Sequence, residues 1–483
     1  MSAVELEGRL HPLAVLVYAR RFIGASIVPL LVLLFSAGAR VLVPLLAVAL
    51  FVGLPLALLS WWRFRYRVAG GRLELHSGVF SRSVRTIPRE RVRGIDITEP
   101  FVHRLLGLVK VEIEAAAGGD SKEAELSLAA VSREQADELR EALLGAAAGA
   151  AKTAEAAPLY RATPGLLALG GITSMSYLLA PAAIVGLVLN LADDLPGDFV
   201  ESAVEGAVER FPTDLLGVVL VGTAAIALVL VAAAVGSLLV DWAFTLRDEG
   251  ERLGALRGLL TRRAVHLDKD RIRGADVGDT PLRRPLHLAS VTAIAAGLRG
   301  RTGGSTLAPV LRSDSVAALL RAVDVSAPDP AAPLVPHPPA ARSRRLLRAL
   351  PLPLLALVLA AGFGALWAVA AAAALTVAAL PLALDRYRQL GHAFDGRRLI
   401  LRGGSLRRRW SEIDPDGIVS FELRSSPGQR RAGLATFTVH LGRGAGSRRA
   451  LDIGEGQAAA LLLRVRPQLF GPLSGRRRGR AAQ

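Results

Sequence analysis

The chain has 483 residues, of which 52% are hydrophobic and only 21% charged, the balance of a membrane protein rather than a soluble one. It contains no cysteine, which excludes disulfides, thiolate metal sites and a cysteine nucleophile. The formal charge of +17 comes from 55 Arg and 4 Lys against 42 acidic residues, and the arginines flank apolar segments, so they read as anchors beside anionic lipid and no nucleic-acid partner is expected.

The first apolar stretch, Phe22 to Trp62, carries one charge, Arg40, in 41 residues. One helix of that length would measure ~60 Å, twice the ~30 Å hydrocarbon core, so a pair of helices meeting near Ser36–Arg40 is expected. The run leads straight into its second half without a convincing cleavage site, and a cleavable signal peptide is not expected. Residues 1–62 therefore form an N-terminal segment and a first hairpin, with Arg20 and Arg21 before it and Arg63, Arg65 and Arg67 after it, all on the inner side.

Residues 63–144 read as a first strand-rich module. Leu73/Leu75 and Val92/Ile95/Ile97 give short alternations broken by Gly70–Gly71, Gly78 and Pro88, and Val109/Val111/Ile113 alternates with Lys110/Glu112/Glu114. Ser132-Arg-Glu-Gln135 has the pattern of a capping box that opens a helix to about Leu144. After a linker at 145–161, a second membrane hairpin fills 162–241. Its two arms, Ala162–Ala192 and Leu215–Val240, enclose an acidic loop at 193–214 expected on the outer face.

The second module, 242–323, repeats the first at an ungapped offset of 180 residues: Arg72/Arg252, Gly78/Gly258, Arg82/Arg262, Arg91/Arg271, Gly94/Gly274, Asp96/Asp276 and Arg104/Arg284 coincide. A Pro/Ala-rich linker at 324–348 leads to a third hairpin at 349–385, expected to turn at Gly362–Phe363–Gly364. A weaker third module follows at 386–468, where Arg398, Gly404, Arg408, Ile413 and Glu422 take the places of Arg72, Gly78, Arg82, Ile87 and Asp96. Asp314–Val323 and Gly456–Val465 are counterparts of the first module's closing helix, and residues 469–483 form a basic tail. Three copies of one unit, a hairpin followed by a module, fix the organisation.

Ile87-Pro-Arg-Glu-Arg91-Val92, followed by Pro100-Phe-Val-His-Arg104-Leu105-Leu106-Gly107-Leu108, resembles the bacterial pleckstrin-homology (PH) membrane proteins of the YdbT type, whose domain is the second bacterial PH class. The resemblance covers essentially the whole chain. It implies a multi-pass α-helical membrane protein with three β-rich, PH-like cytoplasmic modules, each a β-sandwich with a C-terminal helix. It also implies a smaller single-module PH-like membrane protein as partner, and a role in envelope stress or antimicrobial-peptide tolerance. The second and third copies depart from the motif, with Leu267-Asp268-Lys269-Asp270 in one and Gly417 in place of Arg91 in the other.

Arginines at matching positions are the first candidates. Arg82, Arg91 and Arg93, with Arg262, Arg271 and Arg273, suit headgroup phosphates or an acidic partner, because a guanidinium fork matches phosphate geometry. The structural alternative is ion pairing within the module to Glu90, Glu99, Asp270 or Asp276. Glu201, Glu205 and Glu209 recur at helical spacing in the outer loop and are a candidate external acidic face. The eight histidines lack metal-ligand spacing, and no acid–base or nucleophile constellation stands out, so neither catalysis nor a cofactor is expected. The reading is a non-enzymatic scaffold in the cell membrane with six spans and both termini in the cytoplasm, binding lipids or proteins and compatible with a homo-oligomer. The alternative, a component of lipid or peptide export, would need Ser174, Ser176, Tyr177 and Asn190 to line a water-accessible path.

Overall fold

The computed structural model describes residues 6–18, 39–78, 82–115, 125–144, 157–179, 214–296, 305–323, 333–364, 366–442 and 445–467. Glu201, Glu205, Glu209, Asn190 and the basic tail lie outside these residues. The chain packs as two units, Met1–His266 and Leu267–Gln483.

In the first unit β1 (Leu6–Arg9) pairs with β2 (Arg65–Ala69), which follows helix α1 (Ala39–Arg63). Gly70 and Gly71, at φ +58° and +72°, turn β2 tightly back into β3 (Arg72–Ser77), which then pairs with β4 (Ser83–Pro88). These four strands form one sheet, with β4 at its edge. A second sheet begins with β5 (Val92–Glu99), β6 (Leu108–Ala115) and β7 (Glu125–Ser132), with α2 (Phe101–Leu105) between β5 and β6. Helix α3 (Arg133–Leu144) closes the module through the expected capping box: Gln135 N–H donates to Ser132 Oγ at 3.2 Å, and Ser132 N–H donates to Gln135 Oε1 at 3.1 Å. Leu73, Leu75, Ile95, Val111, Ile113, Leu128 and Leu139 fill the core between the sheets and this helix.

The second sheet does not stop at its own module. β8 (Tyr160–Arg161), β9 (Thr245–Asp248), β10 (Arg252–Arg257) and β11 (Arg262–Asp268) continue it in the order β7-β6-β5-β11-β10-β9-β8. Strand β11 lies antiparallel to β5, with Arg262 opposite Glu99 and Ala264 opposite Ile97. Between these strands in sequence, α4 (Pro164–Ile172) packs on α5 (Leu215–Asp241). The approach is close: a Cβ on Gly171 would fall 2.3 Å from the carbonyl oxygen of Ala233. The first arm, expected as one helix through Ala192, breaks at Thr173–Ser174, where Thr173 Oγ1 donates to Leu169 O at 2.6 Å.

The second unit repeats the arrangement. β12 (Ile272–Asp279), β13 (Leu288–Ala295) and β14 (Thr306–Arg312) precede helix α6 (Val316–Ala322). They are continued by β15 (Val335–Pro336), β16 (Gly391–Phe394), β17 (Leu399–Gly403) and β18 (Arg408–Ile413) in the order β14-β13-β12-β18-β17-β16-β15. Helices α7 (Pro339–Ala349), α8 (Pro351–Phe363) and α9 (Leu366–Arg388) come between β15 and β16. Gly364, left-handed at φ +71°, ends α8 where the hairpin turn is expected, and α8 packs against α9. The chain finishes in a three-stranded sheet, β19 (Ile418–Arg424), β20 (Leu434–Leu441) and β21 (Ser447–Gly454), with α10 (Pro427–Arg430) and the closing helix α11 (Glu455–Val465).

Among the described residues three helices are long and apolar enough to cross a membrane: Leu216–Asp241, Pro339–Phe363 and Leu366–Arg388. The described architecture is therefore three β-rich repeats with three candidate membrane helices.

A basic pocket at the end of the first helix

Where α1 hands over to the first sheet, the chain reads Trp61-Trp62-Arg63-Phe64-Arg65. Trp61 is anchored, its indole N–H donating to Leu10 O at 2.9 Å, while Trp62 stays 58% exposed. The Gly70–Gly71 turn sets the register of the hairpin and places Arg65 directly opposite His76, and β4 then places Val84 opposite His76 on the other side. Cross-strand partners share a face, so one row carries Arg65, His76 and Val84. Gly78, at φ +110°, begins the connection that brings Arg82 round to the same end.

These residues border an open cavity of about 400 Å³ lined by Trp62, Arg63, Arg65, His76, Ser77, Gly78, Arg82, Ser83 and Val84. Among the described residues three arginines line it and no carboxylate does. The nearby acid is Glu74, whose Oε2 is 3.9 Å from His76 Nε2. Among the described residues Arg65 and Arg82 have no ion-pair partner. The cavity size and charge suit a phosphate-bearing headgroup, with Trp62 alongside for the apolar part.

At the corresponding helix ends of the other repeats an arginine is paired with a carboxylate. At the end of α5, Asp241 is 2.9 Å from Arg257 Nη1, and both are nearly buried. At the end of α9, Asp385 is 2.8 Å from Arg408, the counterpart of Arg82, and accepts a hydrogen bond from Ser405 Oγ at 2.7 Å. Arg284 also approaches Asp385, at 3.7 Å. Arg262, the other counterpart of Arg82, is exposed on β11 opposite Glu99.

Within the first module Arg82 and Arg91 do not sit together. Arg82 and Arg91 flank β4 at opposite ends, roughly 20 Å apart at ~3.3 Å per residue. Arg91 is exposed in the short turn Arg89–Arg91, and the Arg93 side chain lies outside the description. Arg271 pairs with Asp268 at 2.9 Å. Arg273 lays its stem across Gly417, where an added Cβ would come within 2.6 Å of Arg273 Cδ. That contact gives a packing reason for glycine at the third copy's counterpart of Arg91. Two of the four carboxylates expected to hold these arginines are engaged elsewhere: Glu99 by Arg133 at 2.5 Å, and Asp276 by Arg448 at 2.6 Å and Ser411 at 2.5 Å. Tyr177 O–H donates to Asp241 Oδ2 at 3.5 Å, at the end of α5.

Of these residues the repeat pattern marks Arg82, while Arg63 and Arg65 stand out in sequence only as basic flanks and Trp62 and His76 carry no motif. The signal was available in the Gly70–Gly71 turn, which alone places Arg65 opposite His76.

The family model described as "Bacterial PH domain" matches residues 23–147, 199–326 and 347–466. A curated relative, the UPF0699 transmembrane protein YdbT of Bacillus subtilis (strain 168), is 36% identical over 95 residues. That match covers 20% of this chain and 19% of the relative, so the chain matches about a fifth of that protein's length. No solved structure matches. With three matches that together span most of its length, the chain belongs to the bacterial PH-domain family.

Proposed function

We propose that the chain is a non-enzymatic membrane scaffold whose first PH-like module holds an anionic lipid headgroup where it leaves the bilayer. In this reading residues 63–144, 242–323 and 386–468 are cytoplasmic modules beneath six spans, with both termini inside and the acidic loop 193–214 outside. Headgroup contact falls to Arg63, Arg65 and Arg82 and not to the six matching arginines as a set. A smaller single-module PH-like membrane protein remains the proposed protein partner, and envelope stress the proposed setting.

The observation that supports the headgroup reading is the pair Arg65 and Arg82 beside the pocket, which have no ion-pair partner among the described residues, set against Asp241–Arg257 and Asp385–Arg408 at the other two helix ends. A cation close to an anionic leaflet is worth ~1 kcal/mol. The test is the lipid retained by full-length protein purified from its native membrane and identified by mass spectrometry. Enrichment of anionic over zwitterionic phospholipid, lost in the Arg65→Gln/Arg82→Gln variant, is the expected result. Identical lipid profiles for the two proteins would reject the assignment.

A further inference from the structure

Each seven-stranded sheet is made by the same device. The strand that ends one repeat's first sheet lies against the strand that begins the preceding repeat's second sheet: β11 on β5, and β18 on β12. The registers are identical once the repeats are aligned. Glu99 faces Arg262 in one junction, and its counterpart Asp279 faces Arg408, the counterpart of Arg262, in the other. Two positions further along, an apolar pair meets in each case: Ile97 with Ala264, and Val277 with Trp410.

Three repeats make two junctions and leave one strand of each kind unused. β4 is the counterpart of β11 and β18, and it is an edge of its sheet; β19 is the counterpart of β5 and β12, and it too is an edge. Edges are commonly blunted by charge or proline, yet both expose an apolar residue at the position that pairs in the junctions. Val84 is 58% exposed and Leu423 is 49% exposed. Carrying the junction register across places Val84 opposite Leu423, Arg85 opposite Glu422 and Ser83 opposite Arg424. An apolar pair and an opposite-charge pair therefore fall where cross-strand partners stabilise a sheet.

We infer that β4 of one copy pairs antiparallel with β19 of a second copy, so that the protein associates head to tail through the same sheet continuation that joins its own repeats. The two surfaces differ, so the contact is heterologous and each copy offers one of each. Backbone hydrogen bonding supplies the contact and the Val84–Leu423 and Arg85–Glu422 pairs set its register. Arg82 then lies opposite Ser425, which adds no carboxylate to the basic pocket.

The absence of native cysteine makes the test direct. Two differently tagged full-length copies, one carrying Ser83→Cys and the other Arg424→Cys, are co-expressed and oxidised in membranes; directly opposed strand residues lie within disulfide reach. A mixed, doubly tagged disulfide dimer is expected, formed several-fold more than with Val419→Cys, which the register places ~17 Å away from Ser83 along the strand. Adding Val84→Lys at an already exposed site should reduce the yield several-fold without lowering expression. A single chain carrying both Ser83→Cys and Arg424→Cys should give covalent multimers. No mixed dimer, equal yields for Arg424→Cys and Val419→Cys, or only an intrachain bond in the double variant would each overturn the inference.

Discussion

Asp452 should be the costliest carboxylate to neutralise in the second unit. It is 1% exposed, its Oδ1 is 3.0 Å from Arg344 Nε, its Oδ2 is 2.8 Å from Arg345 Nη2, and Gln429 Nε2 donates to it at 2.8 Å. Both guanidiniums belong to α7 and are themselves only 12–13% exposed, so this one carboxylate ties the helix entering the third hairpin to β21. Asp452→Asn keeps the shape and tolerates the local φ of +57°, leaving the loss of charge as the perturbation. Breaking a buried pair by removing one partner costs about 3–5 kcal/mol, and arginine stems that can swing towards water put this case near 3. At roughly 2–4 °C per kcal/mol for a unit of this size, Asp452→Asn should lower the melting temperature of the full-length protein in detergent by about 6–12 °C. Adding Arg344→Gln and Arg345→Gln removes the stranded charges and should recover more than half of the loss. A drop under 2 °C, or no recovery in the triple variant, would refute the view that stranded charge sets the cost.

Gly274 sits in β12 at φ +141°, and an added Cβ would fall 2.0 Å from the Glu412 carbonyl oxygen. Gly274→Ala should therefore cost more than the ~1–3 kcal/mol of backbone strain alone, and more than Gly396→Ala, whose φ is +94° in open space; comparative thermal unfolding reads the difference. Burial pushes His266, His337 and His392 down to about 4; at His266 this outweighs Glu249, 3.5 Å away, whose own carboxyl burial raises. Because the unfolded chain binds these protons first, their contribution is complete above pH ~6.5 and is lost as pH falls towards 4, at most ~3 kcal/mol per histidine; a melting temperature that stays flat over this range would contradict their buried, neutral state. Single cysteines at Ser202, Ser305 and Ser447 test the six-span topology: an impermeant thiol reagent on intact cells should label only the first, and labelling at Ser447 without Ser305 would show that 349–385 crosses once.

Local features were legible because each rests on a few neighbouring residues. The Ser132/Gln135 box, the left-handed Gly364 break and the closing helices all follow from short-range backbone requirements. So does Gly78, with its counterparts Gly258 and Gly404 at φ +105° and +97°. The sharing of sheets between repeats was not legible. Alternation in Val92–Ile97 says which face is buried but not which strand lies alongside, and the partner of Ile97 is Ala264, far away in sequence. Charge posed a similar difficulty. Arg82, Arg262 and Arg408 are equivalent as letters, yet only the structure shows Asp385 beside one of them and, around another, a cavity with no carboxylate among its described lining residues. The likeness of repeats predicted shared function for residues whose surroundings differ.

The headgroup site is tested most directly by titrating detergent-solubilised full-length protein with short-chain phosphatidylglycerol or phosphatidylcholine at several salt concentrations, following Trp62 at the pocket. The account predicts salt-sensitive binding of phosphatidylglycerol that weakens about fivefold in Arg65→Gln and again in Arg82→Gln, at ~1 kcal/mol per arginine, with Arg262→Gln unchanged. Equal weakening by Arg262→Gln, or undiminished binding in the Arg65→Gln/Arg82→Gln variant, would contradict it.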